Sequence, residues 1–326
     1  MAAAGGAGGE EPGRLPDFFL VGHPKSGTTA LHMMLSQHPR IHLGKKEPRF
    51  FVPELRERDI PRPGGTPATL EEYRAWFNGA TPDQLVGDNS PDYLWSHESA
   101  RLIAEVAPQA RIVAILREPA AFLRSMHRQR LRNYVEVEKD LRRAIELEGP
   151  RREGRDIPQD TYWPGALFYS DQVRYVEQLR RYEERFPSEQ MLVLIYDDYR
   201  ADGAAIVRRV LRFLELDEDV PIVAREGNPS VEVRSPRLHG AMRTLLVSDS
   251  APARALKGSL KALTPMRARQ RALHTVRKRF VFGSPPPAGD EGYTTELRRR
   301  LAPEVHALSE HLGRDLVSLW GYDRLD

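Results

Sequence analysis

Four short apolar runs stand out along the first two thirds of the chain. They are DFFLVG at 17–22, QLVGD at 84–88, RIVAIL at 111–116 and QMLVLIY at 190–196. The run RIVAIL is almost continuously apolar, which is typical of a strand buried on both faces of a parallel sheet. The four runs therefore predict four β-strands.

Segments with helical spacing of apolar residues alternate with these strands. The first is ALHMMLSQHP, directly after the first strand. The others lie at 99–107, 120–133, 166–186, 204–214 and 295–312. Alternating strands and helices are typical of an α/β protein. We therefore predict a three-layer fold in which helices flank a central parallel sheet.

Three of the loops that follow predicted strands carry polar and charged residues. They span residues 22–29, 88–93 and 117–125. Ligands of parallel α/β sheets bind at the carboxyl ends of the strands, where such loops meet. We therefore expect these three loops to converge on one crevice.

The first of these loops resembles a phosphate-binding P-loop. Gly22 and Gly27 keep the four-residue gap of the nucleotide-hydrolase motif, but the lysine stands inside the loop as Lys25 instead of following the second glycine. Backbone N–H groups at the start of the following helix can cradle a phosphate. The alternative is an ordinary glycine turn into a helix. The predicted cradle consists of Lys25, Ser26, Gly27, Thr28 and Thr29.

A second candidate phosphate contact follows the strand RIVAIL. Arg117 closes that strand, and Ser125 lies about two turns into the next helix. An arginine and a hydroxyl so placed can hold one phosphate dianion together. Alternatively, Arg117 caps a helix or pairs with Asp17 or Asp88. Because no apolar strand ends in a convincing magnesium-holding Asp, we expect a phosphate site without metal, with its cations supplied by side chains.

Composition excludes several classes of site and compartment. The 326 residues include no cysteine, so disulfides, iron–sulfur clusters and cysteine nucleophiles are excluded. Mean hydropathy is −0.54, and no apolar run approaches the roughly 20 residues of a membrane span. Residues 1–13 have no signal-peptide pattern. We expect a disordered tail at 1–15, a single domain at 16–326 and a cytoplasmic location.

Charge is nearly balanced overall but uneven locally. The chain has 49 basic and 46 acidic residues, too even for a protein that binds polyanions with its whole surface. Residues 237–279 hold 11 Lys/Arg against one acid, Asp249. We predict that 237–285 forms a basic helical cover over the domain. The alternative is a nucleic-acid-binding arm, which steep salt dependence would reveal. Because no RNA-binding aromatic motif is present, we expect no nucleic-acid partner.

The motifs together resemble the sulfotransferases that use 3′-phosphoadenosine 5′-phosphosulfate (PAPS). These are the loop PKSGTT after an apolar strand and the pair R-x7-S after another. In addition, KEPRFF at 46–51 is similar to the K-E-x-x-F-F segment of the heparan sulfate branch, and NSPDY at 89–93 to its K-[ST]-P-x-Y segment. The stretch around 313–320 is similar to the tail of bacterial members. The resemblance covers about residues 16–215 and 292–322.

The resemblance implies a role for each motif. The loop from Lys25 to Thr29 would hold the 5′-phosphosulfate, and Arg117 with Ser125 the 3′-phosphate. Lys25 would neutralise the bridging oxygen as the nucleotide leaves, giving adenosine 3′,5′-bisphosphate (PAP), without a metal. Glu47 would be the general base, and we expect the neighbouring Phe50 and Phe51 to desolvate it and raise its pKa. The alternatives are that Glu47 is a surface residue and that His23 is the base.

The sequence departs from the heparan sulfate branch at two places. Asn89 stands where that branch has a lysine, so one candidate leaving-group cation is missing. The cysteine-bracketed loop of the Golgi members, which helps cover the 3′-phosphate, has no counterpart. We expect Arg234 or Lys278, near or within the basic stretch, to take over that contact.

We therefore predict a bacterial, cytoplasmic enzyme that transfers a sulfuryl group to a hydroxyl or amine of a small metabolite, glycolipid or glycan. The alternative enzyme class is a P-loop kinase or NTPase, which would require magnesium.

Two further clusters are ambiguous. The aromatic residues at 162–169 form either core or an acceptor pocket. Asp197 and Asp198 are interpreted as charges at a helix entry.

Overall fold

The computed structural model describes residues 13–56, 66–133, 135–159, 161, 163–223, 232–233, 282–283 and 291–325. The chain divides into two compact units. Unit 1 comprises residues 1–56, 61–118 and 174–227, and unit 2 comprises 57–60, 119–173 and 228–326. The single domain at 16–326 stays a prediction. The basic cover at 237–285, apart from 282–283, lies outside the described residues.

Unit 1 is built on a parallel sheet with strand order β2-β3-β1-β4-β5. Its strands are β1 (Phe18–Gly22), β2 (Ile41–Leu43), β3 (Leu85–Asn89), β4 (Arg111–Leu116) and β5 (Met191–Ile195). All four predicted strands are confirmed. Strand β2 was missed because its three residues are too few to show an apolar pattern. In unit 2, β6 (Glu232–Val233) pairs antiparallel with β7 (Phe282–Gly283).

Helices connect the strands, as the sequence predicts, and the α/β fold with helices flanking a central parallel sheet is confirmed. Helices α4 to α6, α10 and α11 belong to unit 2 and the others to unit 1. The helices are α1 (Thr28–Leu35), α2 (Leu70–Ala75), α3 (Ser99–Val106), α4 (Pro119–Arg132), α5 (Leu141–Glu146), α6 (Glu148–Arg152), α7 (Tyr175–Glu183), α8 (Tyr196–Ala201), α9 (Gly203–Phe213), α10 (Glu291–His311) and α11 (Leu316–Leu319). Turns of 3-10 helix lie at Pro53–Arg56, Pro164–Leu167, Asp171–Val173, Ser188–Gln190 and Tyr322–Arg324.

The alternation of side chains along β1 gives the sheet two buried faces. Phe18 and Leu20 pack in one apolar cluster with residues of α1 and α9. Phe19 lies in the other layer, where its ring meets those of Phe51 and Tyr93 at 6.1 and 6.2 Å between centroids. Both layers bury β1 completely, so its carboxyl end is rigidly placed for the loop that follows.

The predicted helix at 166–186 is confirmed only in its second half. Its first part forms two separate 3-10 turns, and α7 begins only at Tyr175. The Ser170 amide donates to the Glu148 carboxylate at 2.8 Å, and the Ser170 hydroxyl binds the same carboxylate. These bonds to a carboxylate 22 residues away satisfy the Ser170 amide outside a helical ladder.

The chain is packed from just before the predicted end of the N-terminal tail. Arg14 donates a hydrogen bond to the Gln84 carbonyl oxygen at 3.0 Å and pairs with Asp17 at 3.1 Å. This contact fixes the segment that leads into β1. Residues 1–12 lie outside the described residues.

Candidate active site

The phosphate-binding loop predicted from the sequence connects β1 to α1. Lys25 and Gly27 have φ angles of 64° and 91°, both in the left-handed region. A Cβ atom on Gly27 would lie 3.0 Å from a ring carbon of Tyr196. Glycine is therefore required at position 27 both by its backbone conformation and by the close approach of the ring.

Ser26 gives the loop an unsatisfied polar group. Its side chain is fully buried, and its hydroxyl has no hydrogen-bond partner. Leaving a buried hydroxyl unpaired costs about 1–3 kcal/mol. The hydroxyl lies two residues before the N-terminus of α1, where backbone N–H groups favour an anion. The loop thus has the donors that a phosphate or sulfate oxygen would satisfy.

Arg117 lies against this loop. Its Nη1 donates to the Lys25 carbonyl oxygen at 2.9 Å, and its guanidinium stacks over the Tyr196 ring at 4.9 Å. The Tyr175 hydroxyl donates to the Arg117 carbonyl oxygen at 3.0 Å, which fixes the end of β4. The convergence of the loops after β1 and β4 is therefore observed within unit 1.

The alternative partners of Arg117 are already occupied by other groups. Asp17 pairs with Arg14 and accepts from the Val86 amide at 2.7 Å. Asp88 accepts hydrogen bonds from three hydroxyl groups. A pairing of Arg117 with either aspartate is therefore wrong.

Two predicted ligands of the 3′-phosphate are not tested by these contacts. Ser125 lies in unit 2, in the second turn of α4, and is buried. Arg234 and its alternative Lys278 lie outside the described residues. Their assignment stays a prediction.

Glu47 is held between two cations. Its Oε1 lies 2.8 Å from Lys46 Nζ, and its Oε2 pairs with Arg49. Lys46 Nζ also donates to the Thr29 hydroxyl oxygen at 2.6 Å. The lysine therefore joins the predicted base to the phosphate loop. Lys46 was part of the quoted motif, but nothing in the sequence alone showed that its ammonium reaches the loop.

The expected rise in the pKa of Glu47 is wrong. Burial raises this pKa, but the charges of Arg49 and Lys46 outweigh burial and hold it below its usual value. The rings of Phe50 and Phe51 pack against Tyr73 at 4.8 and 5.1 Å between centroids. Glu47 is consequently ionised at neutral pH, and its lowered pKa makes it a weaker base than an unperturbed carboxylate.

His23, the rival base, is enclosed in the core. It is fully buried, and its Nε2 lies 2.6 Å from Gln178 Oε1. Burial lowers its pKa to about 4, so the imidazole is neutral at pH 7. The Tyr175 ring packs beside it at 5.1 Å between centroids. These contacts favour a packing role for His23.

Asn89 makes structural contacts at the position where the heparan sulfate branch has a lysine. Its carbonyl oxygen accepts from the Glu47 amide at 3.0 Å, and its side-chain Nδ2 donates to the Thr28 carbonyl oxygen at 3.1 Å. Asn89 thus ties the segment that carries Glu47 to the start of α1. Its buried Oδ1 has no hydrogen-bond partner.

Two ambiguous clusters are settled in part. Trp163 and Tyr169 are buried in the core of unit 2, while Tyr162 lies outside the described residues. Asp197 and Asp198 lie in the first turn of α8, so their interpretation as helix-entry charges is confirmed.

Within the described ranges, no three His, Asp or Glu side chains are grouped as a metal site would require. No helix in that part of the chain is long and apolar enough to cross a membrane.

Comparison with known proteins agrees with this geometry. Residues 15–226 match the family model described as the sulfotransferase domain. The chain is 27% identical over 209 residues to the human bifunctional heparan sulfate N-deacetylase/N-sulfotransferase 3, covering 62% of this chain and 22% of that protein. It is 27% identical over 207 residues to the mouse heparan sulfate glucosamine 3-O-sulfotransferase 6, covering 62% and 53%. It therefore spans about a fifth and about half of these relatives.

A solved structure gives the same result for the fold. The sulfotransferase from Alicyclobacillus acidocaldarius superposes with a TM-score of 0.58 and 27% sequence identity. The superposition covers 74% of this chain and 96% of that one. The family match spans well over half of the chain and includes the loop, Glu47 and Arg117. The chain therefore belongs to the sulfotransferase family.

Proposed function

We propose that this protein transfers a sulfuryl group from PAPS to a hydroxyl or amine of an acceptor molecule. The observation that carries the proposal is the position of Lys46, whose ammonium contacts both the Thr29 hydroxyl and the Glu47 carboxylate. One ammonium group thus links an anion-binding loop to an ionised carboxylate. A group-transfer enzyme needs these two parts side by side.

The loop residues fit an anionic donor. Ser26 has a buried hydroxyl without a partner, Arg117 brings a guanidinium to the loop, and α1 directs backbone N–H groups toward it. We assign the 5′-phosphosulfate to residues 25–29. Arg117, Ser125 and Arg234 stay the predicted ligands of the 3′-phosphate. PAPS supplies a sulfuryl group activated by its bond to phosphate, and PAP remains.

The chain's own groups supply positioning and charge. Sulfuryl transfer resembles phosphoryl transfer, in which these two effects dominate catalysis. Lys25 and Lys46 place positive charge at the loop, where negative charge grows as the nucleotide leaves. Glu47, ionised because of Lys46 and Arg49, accepts the proton of the acceptor hydroxyl or amine. No step of this scheme requires a metal.

The acceptor belongs to the class of small metabolites, glycolipids and glycans. Two relatives are named for heparan sulfate, which makes amino sugars and their hydroxyl groups the first acceptors to test. A fold is shared more widely than its substrate, so the acceptor must be found by experiment. The bacterial origin and cytoplasmic location stay predictions.

Calorimetry with PAP and AMP, followed by a transfer assay in EDTA, tests the proposal. We expect PAP to bind far more tightly than AMP. We expect radiolabelled sulfate to move from PAPS to at least one acceptor of a panel that includes N-deacetylated heparosan, heparan sulfate, glycolipids and phenols. The Glu47→Gln variant is the matched negative control. Equal binding of PAP and AMP, or magnesium-dependent ATP hydrolysis, would support the kinase class instead.

A further inference from the structure

Asp88 is a buried carboxylate to which the scheme above assigns no role. It lies near the carboxyl end of β3 with no exposed surface. Its Oδ2 accepts hydrogen bonds from the Tyr73 and Tyr93 hydroxyls at 2.8 and 2.7 Å. Its Oδ1 accepts from the Ser90 hydroxyl at 2.7 Å. Asp88 is thus held by three hydroxyl groups from α2 and from the segment after β3.

Ser90 connects this carboxylate to the segment that carries Glu47. Its hydroxyl oxygen accepts a hydrogen bond from the Arg49 amide at 3.0 Å. A serine hydroxyl has one proton to donate, and here that proton goes to Asp88. The lone pairs of the oxygen are therefore turned toward the Arg49 amide.

The segment that this bond holds is conformationally strained. Glu47 and Arg49 have φ angles of 63° and 54° although neither is glycine. A non-glycine residue in this region is strained, and it persists only where its surroundings hold it. The restraints on the backbone include the bond from the Glu47 amide to the Asn89 carbonyl oxygen and the bond from the Arg49 amide to Ser90, while the Arg49 side chain pairs with Asp92 at 2.6 Å.

We propose that Asp88 is a positioning residue that acts through Ser90 to hold residues 47–49 in the conformation that presents the Glu47 carboxylate to the phosphate loop. The inference rests on the proposed function, in which Glu47 is the base. Asp88 has no part in the chemistry itself, because its carboxylate is enclosed by Tyr73, Tyr93 and Ser90.

The ionisation of Asp88 adds a distinct signature. Burial, together with the nearby charge of Glu47, raises its pKa to about 6, although the hydroxyls of Tyr93, Ser90 and Tyr73 act in the opposite direction. Both tyrosines keep their protons throughout, since burial raises their pKa well above the ordinary value. Below about pH 6 Asp88 is protonated, and a neutral carboxyl accepts the hydrogen bond from the Ser90 hydroxyl less strongly than a carboxylate does. The pKa of Glu47 lies below its usual range, so an acidic limb near pH 6 would come from Asp88.

The test compares Ser90→Ala with Ser90→Thr and Tyr73→Phe. Ser90→Ala removes the hydroxyl that links Asp88 to the Arg49 amide, and Ser90→Thr keeps a hydroxyl at that position. Tyr73→Phe removes one hydrogen bond to Asp88 but leaves the link through Ser90 in place. Using the best acceptor of the panel, we expect Ser90→Ala to lower kcat about 10²-fold, the usual effect of misplacing a catalytic group by 1 Å. PAP affinity should stay near wild type. Ser90→Thr should recover most of the rate, and Tyr73→Phe should lose little.

Two readouts separate positioning from general stability. Hydrogen exchange of the Arg49 amide should speed up in Ser90→Ala and stay slow in Tyr73→Phe. The kcat of the wild type should fall as pH drops through about 6. The kcat of Asp88→Asn should be low at every pH and should show no such fall near pH 6. Equal losses of kcat in Tyr73→Phe and Ser90→Ala, or a loss of PAP affinity in Ser90→Ala as large as its loss of kcat, would overturn the proposed role of Asp88.

The outcome also distinguishes this inference from the proposed function. If Glu47→Gln is inactive while Ser90→Ala keeps its kcat, the base stands and the positioning role of Asp88 is wrong. If Glu47→Gln keeps its activity, the proposed base is wrong, whatever Ser90→Ala does.

Discussion

The ammonium of Lys46 lies 2.6 Å from the hydroxyl oxygen of Thr29, the last residue of the phosphate loop. The same ammonium is 2.8 Å from Glu47 Oε1. In the scheme proposed above, donor binding and proton transfer are therefore coupled, because Lys46 contacts both the loop and the carboxylate.

Lys46→Met tests this connection. Loss of the ammonium removes a charge that lowers the pKa of Glu47 and frees the carboxylate from the loop. We expect kcat to fall by about 10²–10³-fold, the scale of losing one preorganised donor near the reacting atoms. Lys45→Met is the matched control, because the Lys45 ammonium lies over the Trp76 ring at 5.5 Å. Equal effects of the two variants on kcat would contradict the connection.

Lys25→Ala should abolish turnover. It removes the loop cation assigned to the leaving phosphate, an interaction worth several kcal/mol in a site that excludes water. The transfer assay with the best acceptor measures the loss. A variant that kept more than about a tenth of the wild-type rate would contradict this role, since that rate corresponds to only about 1.4 kcal/mol.

Arg117→Ala should weaken PAP binding. Losing one charge-assisted hydrogen bond costs about 1.5–3 kcal/mol. Binding of a nucleotide without the 3′-phosphate should change little, which calorimetry with both nucleotides measures. Arg111→Ala is the control at the opposite end of β4, where the side chain pairs with Glu215. Equal losses for both nucleotides would mean that Arg117 acts by shaping the loop through the Lys25 carbonyl oxygen.

Glu47→Gln should reduce kcat by about 10²–10⁴-fold, the range for removal of a general base. The amide keeps the size of the side chain but cannot take a proton. PAP affinity should stay near wild type, because the nucleotide is assigned to residues 25–29 and Arg117. His23→Ala, assayed in parallel across pH, provides the comparison. Full activity in Glu47→Gln with loss in His23→Ala would make His23 the base.

The contribution of Asp88 to stability should change with pH in the opposite direction to the activity. The folded-state pKa of Asp88 is raised from 3.8 to about 6, so the folded state favours the protonated carboxyl. Its contribution to stability is fully present below pH 3.8 and is lost as pH rises through about 6. We expect the Tm of the wild type relative to Asp88→Asn to rise between pH 7 and pH 5. Thermal unfolding of both proteins at each pH measures this difference, and a constant difference would refute the assignment.

The sequence predicted the parts of the site that local pattern determines. The apolar run before Gly22 and the glycine, lysine and hydroxyl residues after it predict strand, loop and helix, and the structure has all three. Arg117 was predictable as a strand-end cation because RIVAIL is a clear buried strand. These features depend on residues that are neighbours in the chain.

The sequence could not predict features that depend on contacts between distant segments. The break in the helix at 166–186 arises because Ser170 binds Glu148. The shift in the pKa of Glu47 was predicted in the wrong direction, because the Arg49 side chain pairs with Glu47. That pairing occurs where Arg49 has a positive φ, which the sequence pattern does not predict. Likewise, the Asp88 cluster needs Tyr73 from α2, a helix that the apolar pattern did not reveal.

The ring of Tyr196 contacts two other residues of the site. It would lie 3.0 Å from a Cβ atom on Gly27, and the Arg117 guanidinium stacks over it. Positions 27, 117 and 196 come from the carboxyl ends of β1, β4 and β5, and one ring separates the other two. A side chain at 27 would meet this ring in addition to the strain of its positive φ, and a smaller residue at 196 would remove the platform under the arginine. Single substitutions at these three positions should therefore be non-additive in double-mutant cycles, because all three share the Tyr196 ring.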